Sequence, residues 1–150
     1  MTTTVDIDKV VAAIAALTIP GVTIRGVSGV ADSMLMTAKT LAPRPEKFIT
    51  GARLEHAEMT QQLNDFWYTL HYRYYHVPIG EGLGGLVSAW PGLVTNVAAI
   101  MAALSSHTSY NGSVDGESPS IDTMGPVMDP AGNAYLGAEF SITILQHLEA

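Results

Sequence analysis

The last part of the chain alternates apolar and polar residues with the two-residue period of a half-buried strand. In residues 135–148 the apolar face comprises Leu136, Ala138, Phe140, Ile142 and Ile144, and the other face comprises Tyr135, Glu139, Ser141, Thr143 and His147. Residues 129–133 precede this strand and contain the proline, glycine and asparagine that turns favour. Residues 121–128 are therefore predicted to form the other arm of a C-terminal β-hairpin.

Two segments have helical periodicity. Residues 6–17 predict an amphipathic helix, with an apolar stripe formed by Ile7, Val10, Val11, Ile14 and Leu17. A second helix is predicted to begin at Ser88 or Pro91 and to end at Leu104, because proline is tolerated only in the first turn. Its stripe consists of Leu93, Val97, Ile100, Met101 and Leu104.

Residues 66–77 predict a strand with aromatic residues on both faces. One face carries Tyr68, Leu70, Tyr72 and Tyr74, and the other carries Trp67, Thr69, His71, Arg73 and Tyr75. We expect such a strand to be covered on both faces, with a helix or a neighbouring subunit over the second face. Residues 22–27 and 53–61 predict two further strands, with a turn at residues 63–65.

Residues 30–52 show no consistent period, and they predict a long loop with a short extended piece near residues 47–50. Long loops are often functional. This one either folds back on its own core or acts as a contact arm, anchored by Met34, Leu35, Met36 and Phe48. Residues 105–120 predict another loop. The expected fold is α+β: one domain over residues 1–150, a mixed or antiparallel sheet and two main helices packed on it.

The composition indicates that much of the protein surface is covered by neighbouring molecules. Hydrophobic residues make up 47% of the 150 residues and charged ones only 14%, against about 25% in average soluble domains. No apolar run is expected to span a membrane. The chain has no cysteine, which fits a reducing compartment, and its first residues lack the pattern of a secretion signal, so it is expected in the cytoplasm.

The formal charge of -7 argues against tight DNA binding, because such binding needs clustered Lys and Arg on phosphates. An acidic wall past which DNA slides remains compatible with this charge.

Candidate chemistry is weak. His71 and His76 lie five residues apart on a predicted strand, so their side chains are expected on opposite faces, unable to share a metal ion. The chain has no Gly-x-Ser-x-Gly nucleophile elbow and no Walker lysine. Residues 80–85 match GxGxxG by count, but Glu81 and Pro91 favour a flexible entry into the second helix. No catalytic residue, metal or cofactor is predicted.

Two segments, residues 67–80 and 124–144, resemble small tail-terminator and head-tail completion proteins of long-tailed bacteriophages. The resemblance implies a structural protein of the virion tail or neck, assembled in the host cytoplasm as a ring, hexameric in the family. Its implied partners are further copies of itself, the tail-tube protein and the head connector. DNA would pass through the channel without specific binding. Asp115 and Glu117 are the candidate channel-lining residues, or else solvated loop carboxylates.

Other functions stay open at this stage. Within the same virion class, the chain could be a stopper or adaptor at the head-tail joint, or a tail-tube subunit. From another class, it could be an enzyme or a small-molecule-binding domain with a pocket between sheet and helices. That pocket would use Trp67, His71, Tyr72 and Tyr74.

Overall fold

The computed structural model of the protein describes residues 7–26, 37–56, 63–79, 83–106 and 116–149. In chain order the elements are α1 (Ile7–Ala15), β1 (Thr23–Ile24), β2 (Thr40–Pro43), β3 (Ile49–His56), β4 (Leu63–Pro78), α2 (Leu83–Ser106), β5 (Gly116–Met128) and β6 (Ala134–Glu149). The two helices and six strands confirm the predicted α+β class.

The six strands form one mixed sheet. Five of them lie in the order β1-β2-β4-β6-β5, and β3 pairs with β4 outside this order. β1 and β2 are parallel, whereas every other pair is antiparallel. β3 pairs with β4 on the same edge as β2, because β6 occupies the other edge of β4 over nearly its whole length. The sheet therefore has β5 at one edge and β1 with β3 at the opposite edge.

The helices pack on one side of this sheet, which we call the helix face. The five apolar residues predicted on one side of β6 are all buried there, as are the four predicted on one side of β4. Val10 and Ile14 of α1 and Leu93, Val97, Ile100 and Leu104 of α2 complete the same core. The predicted faces of both strands and the apolar stripe of α1 are confirmed.

β4 and β6 approach each other closely at Gly137. A Cβ atom there would lie 2.0 Å from the Tyr74 carbonyl oxygen, far inside van der Waals contact. The pairing of the two longest strands thus requires a residue without a side chain at this position.

The loop prediction for residues 30–52 is wrong at Thr40–Pro43, which form a strand. The extended piece predicted near residues 47–50 coincides with the start of β3 at Ile49. All four residues of β2 are buried, so the strand has no alternating pattern for the sequence to display. The predicted turn at residues 63–65 is also wrong, because these residues open β4 and pair with β6.

Two other boundaries are corrected. α2 begins at Leu83, well before the predicted start, and Pro91 lies inside it. β5 begins at Gly116, so residues 116–120 are strand rather than loop. β5 and β6 are antiparallel across the turn at residues 129–133, where the Asp129 carboxylate accepts a 2.7 Å hydrogen bond from the backbone N–H of Asn133.

The side of the sheet opposite the helices, here called the open face, carries no helix among the described residues. His71, Arg73 and Tyr75 are nevertheless buried on it. Polar groups from neighbouring strands cover them, together with Arg44 and Glu46 and the Tyr135 ring, which meets Tyr75 edge-on at 5.3 Å. Both faces of β4 are thus buried at these positions, with strand side chains rather than a helix on the second.

Candidate functional site

α2 is 24 residues long and contains no charged residue. A helix that is apolar all round is normally buried in a core or a membrane. Residues 87–105 are long and apolar enough to cross a membrane by length and composition, yet only 22% of this window is buried within the chain. The expectation that no apolar run reaches such a length is corrected.

The exposed part of α2 is itself an apolar stripe. Leu93 and Val97 face the core, whereas Val87, Trp90 and Val94 are 69%, 38% and 49% exposed. At about 100° per residue these three lie on one side of the helix, adjacent to the buried stripe. We call Val87, Trp90 and Val94 the outer stripe.

Polar contacts fix the orientation of α2 on the sheet. The Asn96 amide donates a 2.7 Å hydrogen bond to the Tyr74 hydroxyl, which lies 2.7 Å from Nδ1 of His76. The His76 ring also hydrogen-bonds the Ala89 backbone, which favours the protonated ring. Burial lowers the pKa of His76, which keeps the ring neutral. These bonds set the direction in which the outer stripe faces.

The contact also explains Gly92. A Cβ atom at this position would lie 3.1 Å from Nε2 of His76. Pro91 removes one intrahelical hydrogen bond, and the Ala89 backbone in the same turn bonds the imidazole. The helix continues through the proline because it is packed against β4 at this point.

An apolar groove lies at the other edge of the sheet, between α1 and the start of β3. Its volume is about 690 Å³, and it is lined by Ile7, Asp8, Val11, Ala12, Ala15, Gly26, Phe48 and Ile49. Asp8 is the only charged residue among these, and it is exposed. We call this cavity the α1 groove.

The predicted contact residues have different outcomes. Phe48 is half-buried, meets the Tyr72 ring edge-on at 5.8 Å and lines the α1 groove. Met34, Leu35 and Met36 lie outside the described residues.

The predicted channel-lining residues are only partly described. Asp115 lies outside the described residues. Glu117 lies in β5, with its backbone opposite Ile144. The structure therefore leaves the channel-lining prediction untested.

β5 forms the second free edge, since β6 is its partner among the described strands. Ile121 and Met124 are each 42% exposed, and they share the helix face with their partners Phe140 and Ala138. Prolines within β5 donate no hydrogen bond, and proline in a sheet is typical of an edge strand. Side chains, more than backbone pairing, are therefore what this edge offers to a partner.

The open face holds a cluster of two arginines and two glutamates. Arg73 donates through Nε and Nη2 to Glu139 at 3.0 and 2.8 Å, through Nη2 to Glu46 at 2.5 Å and through Nη1 to the Met128 carbonyl at 2.9 Å. Arg44 lies 3.2 Å from Glu46 and 3.3 Å from Glu139. The two positive and two negative charges compensate each other.

Electrostatics in this cluster favour the charged forms. Burial raises the pKa of Glu139, but hydrogen bonds from Arg73 and the charge of Arg44 outweigh it, so the net pKa lies below the ordinary value. Burial lowers the pKa of Arg73, and the neighbouring Tyr75 hydroxyl and the two carboxylates raise it by more. Carboxylates held ionised in this way are poor general acids.

A shallow cavity of about 370 Å³ adjoins the cluster and is lined by Pro45, Glu46, Arg73, Met128, Asp129 and Pro130. Beside the cluster, the fully buried Tyr75 hydroxyl is near Arg73 without hydrogen-bond geometry, and it has no other partner among the described residues. Because every described charge here is already paired, the cluster is better explained as a clamp between β4, β6 and residues 44–46.

His71 anchors a second polar chain on the open face. Its Nε2 lies 2.6 Å from the Thr50 hydroxyl, and its Nδ1 lies 3.3 Å from the Ser141 hydroxyl, which donates to the Asp122 carboxylate. Because the Ser141 hydroxyl donates to Asp122, it accepts from Nδ1, and in the neutral ring Thr50 then donates to Nε2. Burial, with Lys47 and Arg44 nearby, lowers the pKa of His71. Neither of the two cavities described above is lined by Thr50 or His71.

The two central histidines lie on opposite faces of the sheet, as predicted. His71 bonds across the open face, whereas His76 contacts Tyr74 and α2 on the helix face. Within residues 7–26, 37–56, 63–79, 83–106 and 116–149, no group of three or more His, Asp or Glu side chains could hold a metal ion.

The sequence matches no protein-family model and no curated protein at a significant level. Any functional interpretation of the outer stripe and the α1 groove therefore rests on their geometry alone.

Sequence patterns overlooked both surfaces. The uncharged run over Leu83–Ser106 is visible in the sequence, and it was the available signal for the outer stripe. The α1 groove has no comparable signal, because α1 and β3 meet only through the tertiary fold.

Proposed function

We propose that this chain is a structural virion protein of the tail-terminator or head-tail completion class. Copies of it form a ring, six-membered as the resemblance implies, that caps the tail tube and joins it to the head connector. Its partners are its own copies, the tail-tube protein and the connector. No bond-making step is part of this function.

One observation carries the proposal: a 24-residue helix without charge turns an apolar stripe outward, with Val87 69% exposed. Soluble chains rarely leave such surface uncovered unless a partner covers it. Covering by further copies in a closed ring would hide it completely. The low charged fraction of the chain, 14%, agrees with extensive contact surface.

The polar groups of the open face support a structural role. Arg73, Glu139 and Glu46 neutralise one another, and His71 is held neutral between two hydroxyls. These groups brace long strands, and a net charge of -7 would let DNA pass without being gripped.

The first test is native mass measurement of the purified full chain, followed by electron microscopy of virions that lack it. A discrete ring and overlong tails without heads are the results expected of a terminator. A ring together with filled heads that leak DNA would instead identify a stopper or adaptor, and indefinite stacking a tail-tube subunit. A monomer that inserts α2 into lipid vesicles would contradict the proposal.

A further inference from the structure

The described apolar surfaces lie at opposite edges of one sheet. The outer stripe stands near β5, since α2 packs against β5 and β6. The α1 groove lies at the edge formed by β3, where Ile49 is 41% exposed. Ile49 pairs with the buried Leu70, so it points to the helix face as well. A projecting stripe and a concave groove thus share one face at two ends of the molecule.

We infer that copies of this chain associate head to tail, with the outer stripe of one copy seated in the α1 groove of the next. This inference rests on the proposed ring function and names the surfaces that would close the ring. Each copy then uses two different surfaces, which is the heterologous contact from which rings are built.

The two surfaces suit each other in shape. A cavity of about 690 Å³ falls in the range of sites that enclose a small ligand, about 300–1,000 Å³. It has room for the exposed part of Trp90, 38% of that residue, together with Val94. Tryptophan is the side chain most typical of interface anchors seated in pockets.

The outer stripe brings no charge into the groove. α2 brings no charged group, and the exposed Asp8 is the one charged residue lining the groove. Seating the stripe therefore buries no charged group of α2, which avoids the large cost of desolvating an unpaired ion.

A stable interface buries about 800 Å² per partner, more than three side chains offer. Ile121 and Met124 on the helix face of β5 extend the apolar surface beside α2. The alternative contact, stripe against stripe, would leave the α1 groove open and would end at a dimer.

Mixing two broken variants tests the direction of the contact. Trp90→Asp destroys the stripe and keeps the groove, whereas Ile49→Asp destroys the groove and keeps the stripe. Each variant alone should be monomeric by native mass measurement. Mixed in equal amounts, they should form a one-to-one dimer and nothing larger, because one intact stripe meets one intact groove.

Controls keep the result interpretable. Leu54→Asp replaces an apolar residue of β3 that is 55% exposed and lines neither surface, so it should leave assembly intact. If Ile49→Asp fails to fold, as judged by circular dichroism, Ala12→Trp fills the groove from the exposed side of α1 instead.

Disulfide trapping adds a second readout, since the natural chain has no cysteine. A chain carrying Val94→Cys and Ala12→Cys together should oxidise to a covalent ladder that ends at the ring size, and neither single variant should cross-link. A dimer from Val94→Cys alone would show stripe-to-stripe contact and overturn the inference.

Failure of the inference is distinguishable from failure of the proposed function. A wild-type ring whose two variants do not form a dimer on mixing overturns the stripe-and-groove contact and leaves the ring standing. A wild-type monomer overturns both, including a monomer whose binding to phosphatidylcholine vesicles is lost in Trp90→Asp.

Discussion

Two neighbouring residues of α2 allow the outer stripe to be tested against the core. Leu93 is fully buried, and Val94, one position further, is 49% exposed. Leu93→Ala should lower the free energy of unfolding by about 2–5 kcal/mol, the cost of a cavity at a closed site. Val94→Ala should change it by less than about 1 kcal/mol, because half of the side chain is already in water and alanine favours helix.

Assembly, in contrast, should respond to Val94→Ala. Burying a whole valine side chain contributes about 1.5–3 kcal/mol, so the exposed half of Val94 is worth roughly 1 kcal/mol in each contact between copies. That is about a fivefold weakening per contact, repeated at every contact of a ring. Val94→Ala should therefore shift ring formation to clearly higher protein concentration while the monomer stays stable.

The assay is urea unfolding of the dilute monomer combined with native mass measurement over a concentration series. Leu93→Ala should move the unfolding midpoint, and Val94→Ala should move the assembly midpoint. The reasoning is refuted if Val94→Ala destabilises the monomer as much as Leu93→Ala and leaves assembly unchanged, since the stripe would then be internal packing.

Three further predictions concern stability. Arg73→Met should lower the free energy of unfolding by about 3 kcal/mol, because Glu46 and Glu139 then share Arg44 as their one remaining described counter-charge, and adding Glu139→Gln should restore part of it. Gly137→Ala should cost at least about 2 kcal/mol, since its Cβ would meet a β4 carbonyl oxygen at 2.0 Å. In the folded protein the pKa values of His71 and His76 lie below the ordinary 6.5. The free energy of unfolding should therefore have its full value at about pH 7.5 and decrease as the pH drops below 6.5.

Urea unfolding measures all three. The control for Gly137→Ala is Gly26→Ala, where an added Cβ meets nothing within 4 Å, and it should be neutral within about 0.5 kcal/mol. A Gly137→Ala protein as stable as the wild type would contradict the close approach of β4 and β6. Equal stability at pH 7.5 and 5.5 would contradict the neutral, buried state of the histidines, and full stability of Arg73→Met would show that the cluster is no clamp.

The sequence alone predicted the elements that keep one face in water or in a polar layer. The alternation along β6 and the periodicity of α1 are visible because burial of one face and exposure of the other imprint a period on the residues. Local sequence also predicted that His71 and His76 would diverge, since strand geometry separates them without any tertiary contact.

Patterns failed where both sides of an element are covered. β2 is buried at all four residues, so it carries no period. The period of α2 predicted its buried stripe, but the helix has no charged residue to mark which of its other positions face solvent. Pro91 then suggested a false start for α2, because proline is favoured in the first turn of a helix, whereas Pro91 lies in the interior of α2.

The chain by itself therefore determined the α+β class, the faces of its two longest strands and the shortage of charge that points to a covered surface. Only the tertiary structure decided which apolar residues of α2 turn outward, and that the other end of the sheet has an apolar groove. The physical reason is that exposure belongs to a residue's neighbours in space, and β3 and α1 become neighbours only after the strands have paired.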